Sequence, residues 1–232
     1  MTHSITSADL TNPLYYLKNA RTLIDWVVKV HQDLLKSDEL DQLAAFQSLD
    51  EQSQALLIRM VMRSQSHFLM RHINHYEELT EPTSKLIETL KNAKLIAINQ
   101  ALTLSECFNL LNRHELLMLN NQVSKETLSK SSSKQKTFES LRAIGTDTFD
   151  INPHLPELGD TVHLLCDPLF ERLKLMFFGN LHQSWSEFVV TELGYFNYEP
   201  VELSRDSRAF HQREDLDQYI TLERLITDSN TL

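Results

Sequence analysis

The stretch Thr103-Leu104-Ser105-Glu106-Cys107-Phe108-Asn109-Leu110-Leu111-Asn112-Arg113-His114-Glu115 decides the fold, because it carries two capping boxes in succession, Thr103-x-x-Glu106 and Asn112-x-x-Glu115. In each box the N-cap side chain accepts from the backbone N–H three residues on, and the glutamate reaches back to the N-cap N–H, so each box starts a helix. Two short helices meeting at a tight corner are predicted, the second ending near Asn120-Asn121. Four glycines and six prolines in 232 residues agree with this, since all-β and doubly wound α/β folds spend glycine freely on turns and phosphate loops. The chain reads as mainly α.

Upstream of the corner, Asn12-Pro13 makes an N-cap with proline at the first helical position, and Leu14, Leu17, Leu23, Ile24, Val27, Val28, Leu34 and Leu35 recur at helical spacing. A second helix is expected over 38–49 and a third from about Gln52 through Arg63. The third buries Leu56, Leu57, Met60 and Val61 and points Arg59 and Arg63 away from that stripe. Pro82 opens a helix with Leu86, Ile87 and Leu90, and the run Leu95-Ile96-Ala97-Ile98 reads as a strand, the start of a small β wing.

Downstream, Ser131-Ser132-Ser133 set among lysines suits a loop. The helix after it places Phe138, Leu141 and Ile144 on one face and stops at Gly145. Asp147–Asp160, with Pro153, Pro156 and Gly159, reads as a linker and domain boundary. Leu164–Phe178, followed by the Ser184-x-x-Glu187 box and Phe188–Leu193, suggests an α-hairpin, and a final helix covers roughly 215–226. No internal period supports a repeat protein.

A hydrophobic content of 41% is enough for a real core. No apolar signal region follows Met1, no apolar run approaches the roughly 18 residues of a membrane span, and only Cys107 and Cys166 are present. A cytoplasmic protein with reduced, buried thiols is expected. The phosphate-loop, dinucleotide, zinc-protease and nucleophile-elbow motifs are all missing from the sequence. So is the Glu-x-Lys that metal-dependent nucleases use to hold a divalent ion and a water. His72-x-x-His75 and His163-x-x-Cys166 each lack a third ligand at zinc spacing and read as ordinary side chains. No catalytic residue, metal site or cofactor is assigned to the chain.

The net charge of -10 is uneven: residues 1–142 hold 16 Lys and Arg against 16 Asp and Glu, and residues 143–232 hold 6 against 16. Between Gln52 and Tyr76 lie Arg59, Arg63, Arg71, His67, His72 and His75 without a single carboxylate. Arg59 and Arg63 stand four residues apart, where like charges on one helix face repel by roughly a few tenths of a kcal/mol. Either a shared anion relieves them or carboxylates of neighbouring helices do. The Lys125–Arg142 segment has a local charge of +3. It is either a solvated linker or an anion site built from lysines and helix N-terminal amides.

Six segments together resemble the N-terminal half of the Fanconi-associated nuclease family: Asn12-Pro-Leu-Tyr-Tyr-Leu17, Leu56-Leu-Ile-Arg-Met-Val-Met-Arg63, Leu110-Leu-Asn-Arg-His-Glu-Leu116, Pro168–Asn180, Phe188–Gly194 and Arg208-Ala-Phe-His-Gln-Arg213. The resemblance runs from about residue 12 to 227. It implies a helical N-terminal domain (1–100), a SAP-like DNA-binding helix-loop-helix element (101–146) and the start of a TPR-like helical region (160–232). Asn112-Arg113-His114 departs from the family's usual Thr-Lys-Pro-like corner.

In that family a VRR-NUC domain performs Mg- or Mn-dependent cleavage of 5' flap and related branched DNA in interstrand crosslink repair. That domain is expected to be missing from these residues, as is the zinc finger of eukaryotic members. The resemblance therefore implies a fragment or truncated product, bacterial and nucleoid-associated. It would be the DNA-binding portion of a phosphodiesterase I-type hydrolase, inactive alone, with branched or 5' flap DNA and a nuclease domain as partners and no membrane. Arg59, Arg63, Arg71, Lys125, Lys130, Lys134 and Lys136 are the candidate phosphate contacts, chosen on charge and position. The alternative is an α-helical protein-interaction module whose acidic C-terminal third docks a partner.

Overall fold

Backbone order in the computed structural model, which describes residues 12–63, 65–73, 76–125, 127–185 and 208–229, is helical with short strands between. In chain order the elements are α1 (Tyr15–His31), α2 (Ser37–Ser48), α3 (Glu51–Val61), β1 (His67–Leu69), α4 (Thr83–Asn92), β2 (Ile96–Ile98), β3 (Leu102–Thr103), α5 (Leu104–Leu110) and α6 (Arg113–Val123). They continue with α7 (Lys134–Arg142), β4 (Thr148–Phe149), α8 (Ile151–His154), β5 (Thr161–Leu164), α9 (Asp167–Phe178) and α10 (Arg213–Ser229). The mainly α reading and the strand at Ile96–Ile98 are both observed. The chain folds into two units and passes between them four times: unit 1 comprises residues 1–64, 76–95 and 166–232, and unit 2 residues 65–75 and 96–165.

Unit 1 is helical. Apolar positions of α1 at helical spacing, Leu17, Ala20, Leu23, Ile24 and Val27, are buried. On α3 the run from Ser53 to Ile58 is buried along with Met60 and Val61. Each large apolar side chain removed from water this way contributes about 1.5–3 kcal/mol. Phe170 of α9 packs edge-on against Phe46 of α2 at 5.9 Å, and Phe177 packs against Trp26 of α1 at 5.1 Å. The C-terminal helix is fixed by charge: Arg213 of α10 donates to both Glu39 oxygens at 2.5 and 2.8 Å and to Asp217 at 3.0 Å, and Arg172 of α9 donates to Asp217 at 3.3 Å. Gly179 ends α9 at φ +72, a left-handed conformation that favours glycine, and a Cβ there would sit 3.3 Å from the Ala209 Cβ, a tight contact.

Unit 2 carries the helix corner. Thr103 accepts from the Glu106 N–H at 3.3 Å while Glu106 accepts from the Thr103 N–H at 2.7 Å. Asn112 accepts from the His114 and Glu115 N–H groups at 2.9 and 3.0 Å while Glu115 accepts from the Asn112 N–H at 2.8 Å. Both boxes thus form as read, and α6 runs on to Val123. A three-stranded antiparallel sheet has β5 in the centre, with His67 opposite His163 on one side and Ala97 opposite His163 on the other. A second antiparallel pair joins β3 to β4.

Three sequence expectations change. The segment 147–160 is no linker: Phe149, Ile151, Leu155 and Leu158 are buried with Leu102, Cys107, Leu111 and Leu116 in the core of unit 2. The helix expected from Leu164 begins at Asp167, because Leu164 is the last residue of strand β5, which lies between two paired neighbours. Ile144 lies past the end of α7 and is exposed, leaving Thr137 and Leu141 as the buried residues of that helix. The second arm of the expected hairpin, 188–193, lies outside the described residues.

Candidate nucleic-acid interface

Within unit 1, α3 delivers Arg59 into an aromatic box. Its guanidinium lies 4.0 Å from the centroid of the Tyr16 ring and 4.9 Å from that of Tyr76, and it donates twice to Glu78 Oε1, at 3.0 and 2.5 Å. Burial pushes the Glu78 carboxyl up, but its backbone hydrogen bond and the Arg59 guanidinium more than offset this and hold it below the usual carboxylate range. Burial likewise raises the Tyr16 hydroxyl, against the neighbouring arginine. One turn on, Arg63 donates to the Tyr76 hydroxyl at 2.8 Å. The acid-free stretch is therefore served by a carboxylate from just beyond its own end.

Within unit 2, the second half of the same stretch meets the helix corner. Both capping-box glutamates use one oxygen for the helix and turn the other toward residues 67–72. Glu115 Oε1 accepts from Arg71 Nη2, and Glu106 Oε1 lies 3.8 Å from His67 Nε2. His67 in turn meets His163 Nδ1 at 2.5 Å. Burial, then the neighbouring His163, keeps the His67 imidazole neutral well below its ordinary range. No group of three or more His, Cys, Asp or Glu among the described residues is arranged to hold a metal, and His75 lies outside them. Cys107 is buried and its thiol pushed up to about 12 by that burial, which leaves it a poor nucleophile.

The lysines lie where α6, the loop after it and the start of α7 come together. Lys125, Lys130 and Lys136 are exposed and make no side-chain ion pair among the described residues. Lys134 is half-buried, with its ammonium 4.3 Å from the centroid of the Phe108 ring. Burial lowers its pKa, partly countered by the charge of Glu115. Lys134 and Lys136 occupy the first turn of α7, where no acid stands. That is the end at which the helix dipole disfavours cations by about 0.3–1 kcal/mol each and welcomes anions. Sequence reasoning named these lysines on charge and position and missed Arg113 and Asn121, which hold the loop. Arg113 Nη1 donates to the carbonyls of Lys130 at 2.8 Å and Ser132 at 3.1 Å, and Asn121 Oδ1 accepts from the Leu128 N–H at 2.9 Å. An open cleft in unit 1 of about 310 Å³, lined by Asn12, Lys18, Arg21 and Glu51 among others, includes none of the predicted contacts.

Fold and surface define a mainly helical protein with exposed lysines on a backbone-braced loop. Residues 14–97 match the family described as "FAN1, HTH domain". The chain is 36% identical over 220 residues to the Fanconi-associated nuclease 1 homolog of Pseudomonas aeruginosa, covering 94% of this chain and 38% of that protein. It is 26% identical over 217 residues to the Arabidopsis thaliana homolog, covering 88% and 24%. A crystal structure of paFAN1 bound to 2nt 5'flap DNA with gap superposes with a TM-score of 0.78 at 34% identity, covering 96% of this chain and 40% of that one. The complex with 1nt 5'flap DNA gives 0.77. The chain belongs to the Fanconi-associated nuclease 1 family and corresponds to its N-terminal region. It spans less than two-fifths of the length of these two homologs.

Proposed function

We propose that this chain is the DNA-engaging, non-catalytic part of a structure-specific nuclease that acts on 5' flap and related branched DNA in interstrand crosslink repair. Cleavage in such a nuclease, of the phosphodiesterase I type, falls to a VRR-NUC domain with Mg or Mn. The observation that carries the reading is the exposure of Lys125, Lys130 and Lys136, with Lys134 half-buried, along the loop after α6 and the first turn of α7. The similarity of nearly the whole chain to a relative crystallised on 5' flap DNA supports the same reading. Lysines at a helix start fit a phosphate backbone because the ammonium groups and the amides act on one anion together. Arg63 and Arg71 add contacts from their solvent-facing sides, whereas Arg59, committed to Glu78 and two tyrosine rings, serves the fold. The expected segments 1–100, 101–146 and 160–232 remain functional assignments of sequence, laid over units that are not contiguous.

Fluorescence anisotropy of a labelled 5' flap duplex across a salt series tests this. Each phosphate neutralised steepens the fall of log affinity with log salt by about 0.9. An affinity indifferent to salt, or equal for the wild type and the Lys125/Lys130/Lys134/Lys136→Ala variant, ends the proposal.

One feature favours the second reading, a protein-interaction module: Leu222, Leu225 and Ile226 of α10 are 54–60% exposed. Pull-downs with and without nuclease treatment separate the two, because a partner lost on digestion was bridged by nucleic acid. No helix among the described residues is long and apolar enough to cross a membrane.

A further inference from the structure

Lysine-rich loops bind polyanions weakly when they must be ordered first, since each immobilised long side chain and each fixed backbone residue subtracts from affinity. The stretch Thr127–Ser133 avoids this in an unusual way for so polar a sequence. Leu128 and Ser132 are buried, and Asn121 of α6 closes on Leu128, accepting from its N–H at 2.9 Å and donating Nδ2 to its carbonyl at 3.4 Å. One helical face away, Arg113 donates a single Nη1 to two loop carbonyls, those of Lys130 and Ser132. The loop adds its own turn, with the Ser132 N–H donating to the Ser129 carbonyl at 3.0 Å and the Ser131 N–H to Ser129 Oγ at 3.1 Å. Its last residue, Ser133, caps α7 by accepting from the Lys136 N–H.

We propose that Arg113 and Asn121 are positioning residues: from two turns of α6 they fix the backbone of Thr127–Ser133, so that Lys130 and the start of α7 are set for a nucleic-acid phosphate backbone before it arrives. The inference rests on the DNA-binding reading and adds to it a division of labour. The Arg113 guanidinium turns Nη1 to the protein's own carbonyls. Lys130 keeps its side chain outward while its carbonyl is held.

The experiment measures Arg113→Ala, Asn121→Ala and Lys130→Ala in the full chain by anisotropy on 5' flap DNA across a salt series, alongside amide hydrogen exchange of the unbound proteins. The expected result for Arg113→Ala and Asn121→Ala is an affinity roughly fivefold lower, by analogy with the ordering cost of one or two side chains, with the salt slope unchanged and faster exchange confined to 127–133. Lys130→Ala instead lowers the slope by about one and leaves exchange unchanged. If Arg113→Ala lowers the slope as Lys130→Ala does, Arg113 is itself a phosphate contact and the inference is overturned. Unchanged exchange in both α6 variants overturns it too, with the DNA-binding reading left standing. Absence of DNA binding by the wild type removes that reading first, and this inference with it.

Discussion

Arg59 in unit 1 and Lys130 in unit 2 carry the same formal charge in opposite settings. Arg59 is 27% exposed, stacked on two tyrosine rings and bonded to a carboxylate that is itself only 10% exposed. Lys130 is exposed, and the protein grips its backbone but not its ammonium. Where the protein uses a cation to join its own helices it supplies the acid and the aromatic faces. Where it holds only the backbone, the charge is left to something outside. A count of arginines along the sequence treats the two alike, and the surroundings separate them.

The comparison breaks most readily at the lysines. Replacing Lys125, Lys130, Lys134 and Lys136 by alanine should lower affinity for 5' flap DNA by roughly a hundredfold near physiological salt and reduce the salt slope by about three to four, while the melting temperature stays close to wild type. Arg59→Ala should do the reverse. Stripping the partner from Glu78 should cost about 2 kcal/mol, since the pair is partly exposed, and lower the melting temperature by roughly 5 °C, with the salt slope of DNA binding unchanged. If Arg59→Ala instead leaves stability intact and flattens the salt dependence, the two regions are doing the same work.

A third test uses His31, fully buried on α1 with neither ring nitrogen hydrogen-bonded among the described residues. Burial, then the nearby Arg208 charge, lowers its pKa from 6.5 to about 4. The unfolded chain therefore takes up a proton near pH 6.5 that the folded chain refuses until about pH 4. Stability contributed by the neutral ring is present above 6.5 and is lost as the pH falls from there toward 4, at up to about 1.4 kcal/mol per pH unit. His31→Leu should flatten the acid limb of a chemical-denaturation series over that interval and leave DNA affinity at pH 7.5 as it was. The smallest expected effect belongs to the helix corner: Asn112→Ala should cost about 1 kcal/mol through the lost cap, read as a shift in denaturation midpoint at constant slope.

What the sequence made legible was local. Both capping boxes, the helix after Pro82 and the loop before α7 depend on residues three to a dozen apart. Most of what it hid turns on partners far along the chain. Arg59 and Glu78 are 19 residues apart, and Arg71 and Glu115 are 44 apart, so an acid-free window reveals nothing about which acids will reach into it. Pro153, Pro156 and Gly159 correctly announced an irregular path. Whether such a path is linker or core depends on what Phe149 and Leu155 meet, and that is settled by Leu111, just past α5, and Leu116 on α6. Arg113 was visible only as the second residue of a capping box. Its service to two carbonyls 17 and 19 residues downstream leaves no trace in composition.

The central place of β5 has a consequence for the order of events during synthesis. Strands β1 and β2 leave the ribosome long before residues 161–164, yet among the described residues neither pairs with the other, and each has its ladder only on β5. A nascent chain that has reached α7 thus carries two short strands with open edges, and the segment bearing Arg71 has no sheet to anchor it. Closure waits for the last strand, as expected for a pairing of high sequence separation. In chains stopped anywhere between Ile98 and Thr161 the backbone amides of β1 and β2 should exchange freely, and extension past Leu164 should protect them.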